Sequence, residues 1–490
     1  MFETQVQLSR SPSIRERRSS LADRDAALVR TNVIAFVLLT LFVALAPFPY
    51  GAVTPRATFV LVGSAFIIGA LAFFSGPTRR LGGLLIPCSA LIVVAVIGAI
   101  QLAPTSIGTL RKIAPVSAEV YAGANRILSM FGRRAVQPRI SIAPDDTLVT
   151  ILLALAFAEL IAASSLLATT RMRRRVLIGA LLASSAIHVL YATATTQAST
   201  RVHGTFINPN HFAGYLEIAL AFSFAVIWRE LLHNRERAAG VRDLADRVEK
   251  RIPALIATIL LWCVIAAGIA LTRSRGGILA ALLTTVILIV FVAMHRRRKA
   301  RFASAAVPAV LVVAAGLLFV AITTGDAPLL RFLGSDPREL GSDQRTELWR
   351  AALRAAHQSP LLGTGLGTFR EAFRRVQPES IEGLVEQAHD DFLQILVTGG
   401  WIGAIVMSLA FASMIVMLVR MWLRQEHREE SAFALGGIGA LISLVLHGIV
   451  EFNMSIPAIP ATLAVMVGLA WSAATYSQKP VNLRAADREP

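Results

Sequence analysis

The sequence predicts an all-α polytopic membrane protein: about twelve transmembrane helices, with a large, partly helical extracytoplasmic loop between the ninth and tenth spans. Three observations lead there. Hydrophobic residues make up 55% of the 490-residue chain and charged residues only 16%, where soluble domains carry about 25% charge. Uninterrupted apolar runs recur at the ~20 residues a helix needs to cross ~30 Å of hydrocarbon. Basic residues also gather in short turns on one side of those runs, as the positive-inside rule requires.

Twelve runs meet the length criterion, near 31–50, 57–75, 84–103, 147–168, 176–196, 211–231, 254–272, 277–294, 302–323, 392–419, 433–452 and 457–475. An even number puts both termini on one side. RMRRR (171–175) and HRRRKAR (295–301) oppose the scattered Arg56, Arg201, Arg273 and Arg275, so both termini are expected in the cytoplasm. The chain then divides into an Arg-rich tail (1–30), a nine-span membrane domain (31–323) with an outer loop at 104–146, a large outer loop (324–391), three further spans (392–475) and a second tail (476–490). Segment 1–30 has no early apolar stretch and reads as a cytoplasmic tail, not a cleaved signal. The formal charge of +17 invites a nucleic-acid partner. Its clustering beside the spans makes it instead an orientation signal and a contact for anionic membrane lipids, and no nucleic acid is expected. Cys88 and Cys263 fall inside apolar runs, so no outer disulfide is expected.

Chemistry-bearing residues collect in the outer loops. The stretch QAHDDFLQILVTGGWIG (387–403) sets His389, Asp390 and Asp391 where a helix enters the bilayer. Loop 197–211, QASTRVHGTFINPNH, cannot carry a regular helix through Gly204 and Pro209. Its Asn-Pro-Asn favours a turn with Asn208 or Asn210 capping the next helix. Arg201 and His203 there are either simply solvated, or Arg201 faces an anion at the membrane surface. LTRSRGG (271–277) places two arginines in a short turn on the side the charge rule disfavours. Snorkelling accounts for one such arginine; two point to a phosphate or diphosphate, with Gly276 and Gly277 permitting close approach.

In the long loop, SDQRTELWRAALRAAHQ (342–358) has helical periodicity, with Leu348, Ala352, Leu353 and Ala356 on one face. GTGLG, within 359–369, follows no strand and precedes no Lys-Ser/Thr, so it is a turn pressed against the membrane body and not an NTPase loop. In 116–132, Val120, Ala124, Ile127, Leu128 and Phe131 share one side of a helix suited to the interface. Glu159, His188, Glu217, His447 and Glu451 stand within or at the ends of spans, where ionisable groups serve function or buried structural pairing.

GTFINPNHFAGYL (204–216), TRSRGG (272–277), RTELWRAAL with SPLLGTGLGTF (345–369) and AHDDFLQILVTGGWIG (388–403) resemble the O-antigen ligase/polymerase superfamily over roughly residues 100–460. The family's most specific motif is His, then Asn/Ser/Gln, nine residues and Gly-x-x-Gly. Here it reads His389, Asp390, nine residues, Gly400 and Gly403. The Asp departs from the pattern and leaves polymerases open beside strict lipopolysaccharide ligases. The resemblance implies a metal-independent, cofactor-free glycosyltransferase in the bacterial inner membrane, its active site facing the periplasm. The donor would be a glycan on undecaprenyl diphosphate and the acceptor a lipid A–core sugar. A Wzy-type polymerase of O-antigen or exopolysaccharide repeat units, with a glycan acceptor, is the alternative. A flippase and a chain-length regulator are candidate partners. By motif the catalytic residues are Arg201, Arg275 and His389. Arg273, His203, Asn210, His211, Asp390, Gly400 and Gly403 are expected to bind substrate.

The chemistry agrees with that assignment. Breaking a C1–O bond to diphosphate builds negative charge that fixed guanidiniums stabilise. The acceptor hydroxyl loses a proton as it attacks, and an imidazole suits a general base near neutral pH. His389 would act as that base or orient the acceptor, with Asp390 or Asp391 fixing its tautomer. Two other classes compete. In a transporter, Glu217 and Glu451 would couple protons, but no half-to-half repeat is visible; a scaffold would recruit other envelope enzymes.

Overall fold

A computed structural model describes residues 14–75, 85–197, 200–233, 241–297, 342–424 and 428–476. Among them all regular structure is helical, and ten helices are long and apolar enough to cross a membrane. The helices are α1 (Ile14–Leu45), α2 (Pro55–Ser75), α3 (Leu85–Leu102), α4 (Ile107–Ile113), α5 (Pro115–Met130), α6 (Pro144–Leu167), α7 (Arg171–Thr195) and α8 (Pro209–His233). They continue as α9 (Val241–Leu271), α10 (Arg275–Arg297), α11 (Ser342–Gln358), α12 (Phe369–Phe373), α13 (Asp391–Arg424), α14 (Arg428–Gly448) and α15 (Ala458–Tyr476). The expected span 302–323, the loop segment 324–341 and the outer parts of both tails lie outside the described residues. The expected third span is α3, whose apolar part, Ile86–Leu102, is shorter than the other ten.

Punctuation in the sequence sets the helix starts. Proline opens α2, α5, α6 and α8, where a missing amide donor loses nothing and φ is already helical. Ser106 accepts from the Thr109 amide and Thr170 from the Arg173 amide, capping α4 and α7. Burial separates centre from periphery. The apolar windows of α8 and α15 are 89% and 94% buried, against 22% in α1. A helix apolar all round belongs inside the bundle, and α8 packs along α14 while α15 packs along α6. Peripheral helices turn large side chains outward, Phe59 and Val60 among them, as a face toward acyl chains requires.

The outer segments carry cores of their own. On α11, Leu348, Ala351, Ala352, Ala355 and Ala356 are buried with Phe369, Phe373 and Ile381, and this cluster continues onto Leu393 and Val397 of α13. The expected face of α11 is corrected at one position: Leu353 is 43% exposed. Helix α5 buries Val116, Ser117, Ala118 and Tyr121 and leaves Ile127, Met130 and Phe131 exposed. Of the face the sequence assigned to an interface, only Ile127 and Phe131 are exposed; Val120, Ala124 and Leu128 are half-buried.

Two span boundaries are also corrected. The helix of the expected eleventh span, α14, ends at Gly448, so Glu451 belongs to the following turn. Helix α13 runs 34 residues, about 51 Å at 1.5 Å per residue, and breaks at Gly400 (φ 63°, ψ −168°). The GTGLG loop fills the break: Trp401 N donates to Pro360 O at 2.8 Å and Gly365 N to Thr398 O at 3.0 Å. Gln101 locks the junction, donating to Leu362 O and Thr398 O while accepting from Leu366 N. A Cβ at Gly400 would meet Leu361 O at 2.4 Å, in a backbone region essentially reserved for glycine. Gly400→Ala is therefore expected to destabilise by at least about 2 kcal/mol. The thermal midpoint of the purified protein in detergent checks it, and an unchanged midpoint would refute the clasp.

Candidate active site

The site is assembled from connections at one end of the bundle: those between α7 and α8, α9 and α10, and α14 and α15, together with α11 and the start of α13. The basic turn before α7 lies at the other end. There Arg174 is buried and donates to Ala168 O and Ser472 O.

Two arginine-bearing turns join first. Val202 N donates to Leu271 O at 3.3 Å, and Arg201 Nε donates to Thr272 O at 2.8 Å. Asn208, not Asn210, caps α8, its Oδ1 accepting from Asn210 N at 2.8 Å. The Asn210 amide is thereby left for the site. Its Oδ1 accepts from Arg201 Nη2 at 2.5 Å, and its Nδ2 donates to Glu451 Oε1 at 2.6 Å.

Glu451 is the hub. Its side chain is only 2% exposed. Arg345 Nη2 of α11 lies 3.2 Å from Oε1, and His389 Nδ1 lies 3.4 Å from Oε2. Arg345 also donates to Val450 O, so the large loop is pinned to the bundle through this carboxylate. Burial pushes the Glu451 carboxyl up, but the hydrogen bond and charge of His389, with His211 and Arg345, outweigh burial and hold it at about 2. The Phe452 ring meets both histidines edge-on, at 4.4 Å from His211 and 4.8 Å from His389. Buried His211 places Nδ1 3.2 Å from Asn453 Oδ1.

Of the four described non-glycine residues with positive φ, two lie in these segments, the others being Tyr50 and Ala52. His389 (φ 50°) and Arg273 (φ 53°) hold left-handed conformations that non-glycine residues rarely adopt. Such strain persists only where neighbours over-determine it, and it clusters at functional sites.

The remaining expected site residues have varied placements. The carboxylates next to His389 do not fix its Nδ1, as was expected of Asp390 or Asp391; Glu451 takes that position. Asp390 Oδ1 accepts from the Phe392 and Leu393 amides, both at 2.9 Å, and caps α13. Burial raises its pKa, partly offset by those two donors. Asp391 accepts from Met454 N. Arg275 opens α10 and is exposed. His203 is exposed and turns Nδ1 to Phe206 O. Gly400 and Gly403 are buried within the α13 clasp. Among the described residues no group of three or more His, Cys, Asp or Glu side chains is placed to hold a metal ion.

A cavity of about 1080 Å³ reaches the site. Its polar end is bordered by Asp146, Arg370, Glu386, Gln387, His389 and His211. Beyond them the walls are apolar, with Leu91 and Val94 of α3, Phe157 of α6, Phe411 and Met414 of α13 and Leu463 of α15. Arg201, Arg273 and Arg275 do not line it; Arg201 connects to it through Asn210, Glu451 and His389.

Sequence reasoning missed Arg345 and Phe452 and left Glu451 among five undecided groups. Arg345 carried the weakest signal, a lone arginine at the start of an amphipathic helix. No curated protein matches the chain. Residues 257–408, which hold Arg273, Arg275, Arg345 and His389, match the O-antigen ligase family model, and this match supports the resemblance to the O-antigen ligase superfamily.

Proposed function

We propose that this protein transfers a glycan from undecaprenyl diphosphate to a lipid A–core sugar, at the periplasmic face of a bacterial inner membrane. The observation that carries the reading is the His389–Glu451 pair at the polar end of a cavity whose far walls are apolar. A lipid-linked sugar needs that combination: hydrocarbon walls for the prenyl chain and a base at the headgroup. The family match supports glycosyl transfer as the reaction class. The basic turn at the opposite end of α7 supports a periplasmic site, because short basic loops stay in the cytoplasm.

With the Nδ1 proton donated to Glu451, Nε2 of His389 carries the lone pair and takes the acceptor hydroxyl's proton. The hydroxyl oxygen attacks C1 of the donor sugar, and the C1–O bond to diphosphate breaks. Arg201 and Arg275 stabilise the charge left on diphosphate. No metal or nucleotide enters this scheme.

The test is a polysaccharide gel of cells lacking the protein, with wild type and Arg201→Ala restored separately. Glycan retained on undecaprenyl diphosphate and absent from lipid A in the deletion supports the ligase. Loss of long chains with single repeat units still attached would make the protein a polymerase. Unaltered glycans in the deletion would refute both. Arg201→Ala is expected to restore less than about a hundredth of the product, as loss of one leaving-group donor predicts.

A further inference from the structure

Below the Asn210–Glu451 contact, the seam between α8 and α14 holds a second polar rung. Glu217 stands seven residues after Asn210, two turns along the same face of α8, and His447 precedes Glu451 by four. Both side chains are fully buried, with Glu217 Oε1 2.7 Å from His447 Nδ1. Ser443 donates its hydroxyl to Glu217 Oε2 at 2.8 Å. Ionisable groups inside a membrane bundle are expensive, and an apolar seam of the same volume would pack at least as well.

What the pair touches explains it. Nε2 of His447 has no hydrogen-bond partner among the described residues and faces Gly276, where a Cβ would lie 3.3 Å from Nε2 and 2.6 Å from Val450 Cγ2. Gly277 sits as tightly on the other member: a Cβ there would lie 3.2 Å from Glu217 Oε1 and 2.7 Å from Ala213 Cβ. These two glycines directly follow Arg275. The first turn of α10 is thus seated on the pair through residues that have no side chain to interpose.

We infer that His447 and Glu217 are positioning residues for Arg275, setting the depth and direction of the turn that presents its guanidinium. The inference rests on reading Arg275 as a leaving-group cation. It explains why a polar pair sits under this turn, since a seat of fixed shape and polarity defines one position for the α10 start. A displacement of about 1 Å at a charge-stabilising group is enough to lose most of its effect.

The test is a double-mutant cycle on the full chain in detergent, with glycan-free undecaprenyl diphosphate as the probe. Arg275→Ala is expected to weaken binding clearly, and His447→Gln, which keeps a polar side chain of similar size, by about tenfold. The double variant should bind no more weakly than Arg275→Ala alone, because groups acting through one another are non-additive. A purely structural role would lower the thermal midpoint and leave the two losses additive. Additive losses, or a wild-type Kd in His447→Gln, would overturn the positioning role. If His447→Gln does not accumulate, Ser443→Ala removes one hydrogen bond to Glu217 and runs the same cycle with an expected loss of about threefold. If Arg275→Ala binds as wild type does, the leaving-group reading fails and this inference fails with it. That outcome differs from an additive cycle, in which Arg275 matters and its seat does not.

Discussion

His389→Ala is expected to lower glycan transfer by about 10²- to 10⁴-fold, the range a positioned general base contributes. Its abundance in the membrane should match wild type. The side chain is 22% exposed and touches Glu451 and Phe452 at the edge of the cavity, so its removal opens no hole in the core. A sharper version uses His389→Asn. The backbone at His389 is left-handed (φ 50°), a conformation asparagine tolerates better than alanine does. A carboxamide cannot exchange a proton near neutral pH, so His389→Asn should keep the fold and still lose transfer. Liposomes loaded with lipid-linked donor and acceptor give the rate directly, and the thermal midpoint gives the fold. Retained transfer in either variant would remove His389 from the chemistry.

Much of this arrangement was legible because membrane physics writes it twice, in hydropathy and in charge. Apolar runs located the helices, and clustered arginines such as those of 171–175 separated one end of the bundle from the other. The glycines of 363–367 announced a close approach, which proved to be the clasp on Gly400. Side-chain partners across the fold were not legible. Asp390 looked like the natural companion of His389 because the two are adjacent. Adjacent residues at a helix start, however, point in different directions, and Asp390 closes the first turn of α13 while His389 turns to Glu451, 62 residues away. Arg345 reaches the same carboxylate across 106 residues. Hydropathy also overran the eleventh span, carrying Glu451 into a helix that ends at Gly448. The overrun put Glu451 in the last turn of an expected span and not in the connection that joins the other site segments.

Glu451→Gln provides the second large effect, and it reads stability and activity separately. The carboxyl is held at about 2, below its ordinary value of 4.5. A depressed carboxylate contributes stability that is fully present above its unfolded value and is lost as pH falls through its folded value. For Glu451 that window runs from about pH 4.5 down to about pH 2, and the contribution is lost across it. The glutamine variant lacks it. Its thermal midpoint at pH 7 should lie below wild type, and the two curves should converge as the pH approaches 2. Transfer at pH 7 should fall by at least about tenfold, because a carboxamide whose oxygen turns to the Asn210 and Arg345 donors presents its NH2 to His389 and favours the wrong tautomer. Arg345 loses its carboxylate in the same step, so the large loop loosens from the bundle. An Arg345→Ala variant separates the two consequences: it should loosen the loop, seen as faster proteolysis within 342–390, while leaving the His389–Glu451 contact in place. If Glu451→Gln keeps both its acid stability profile and its transfer rate, Glu451 is not the residue that organises the site.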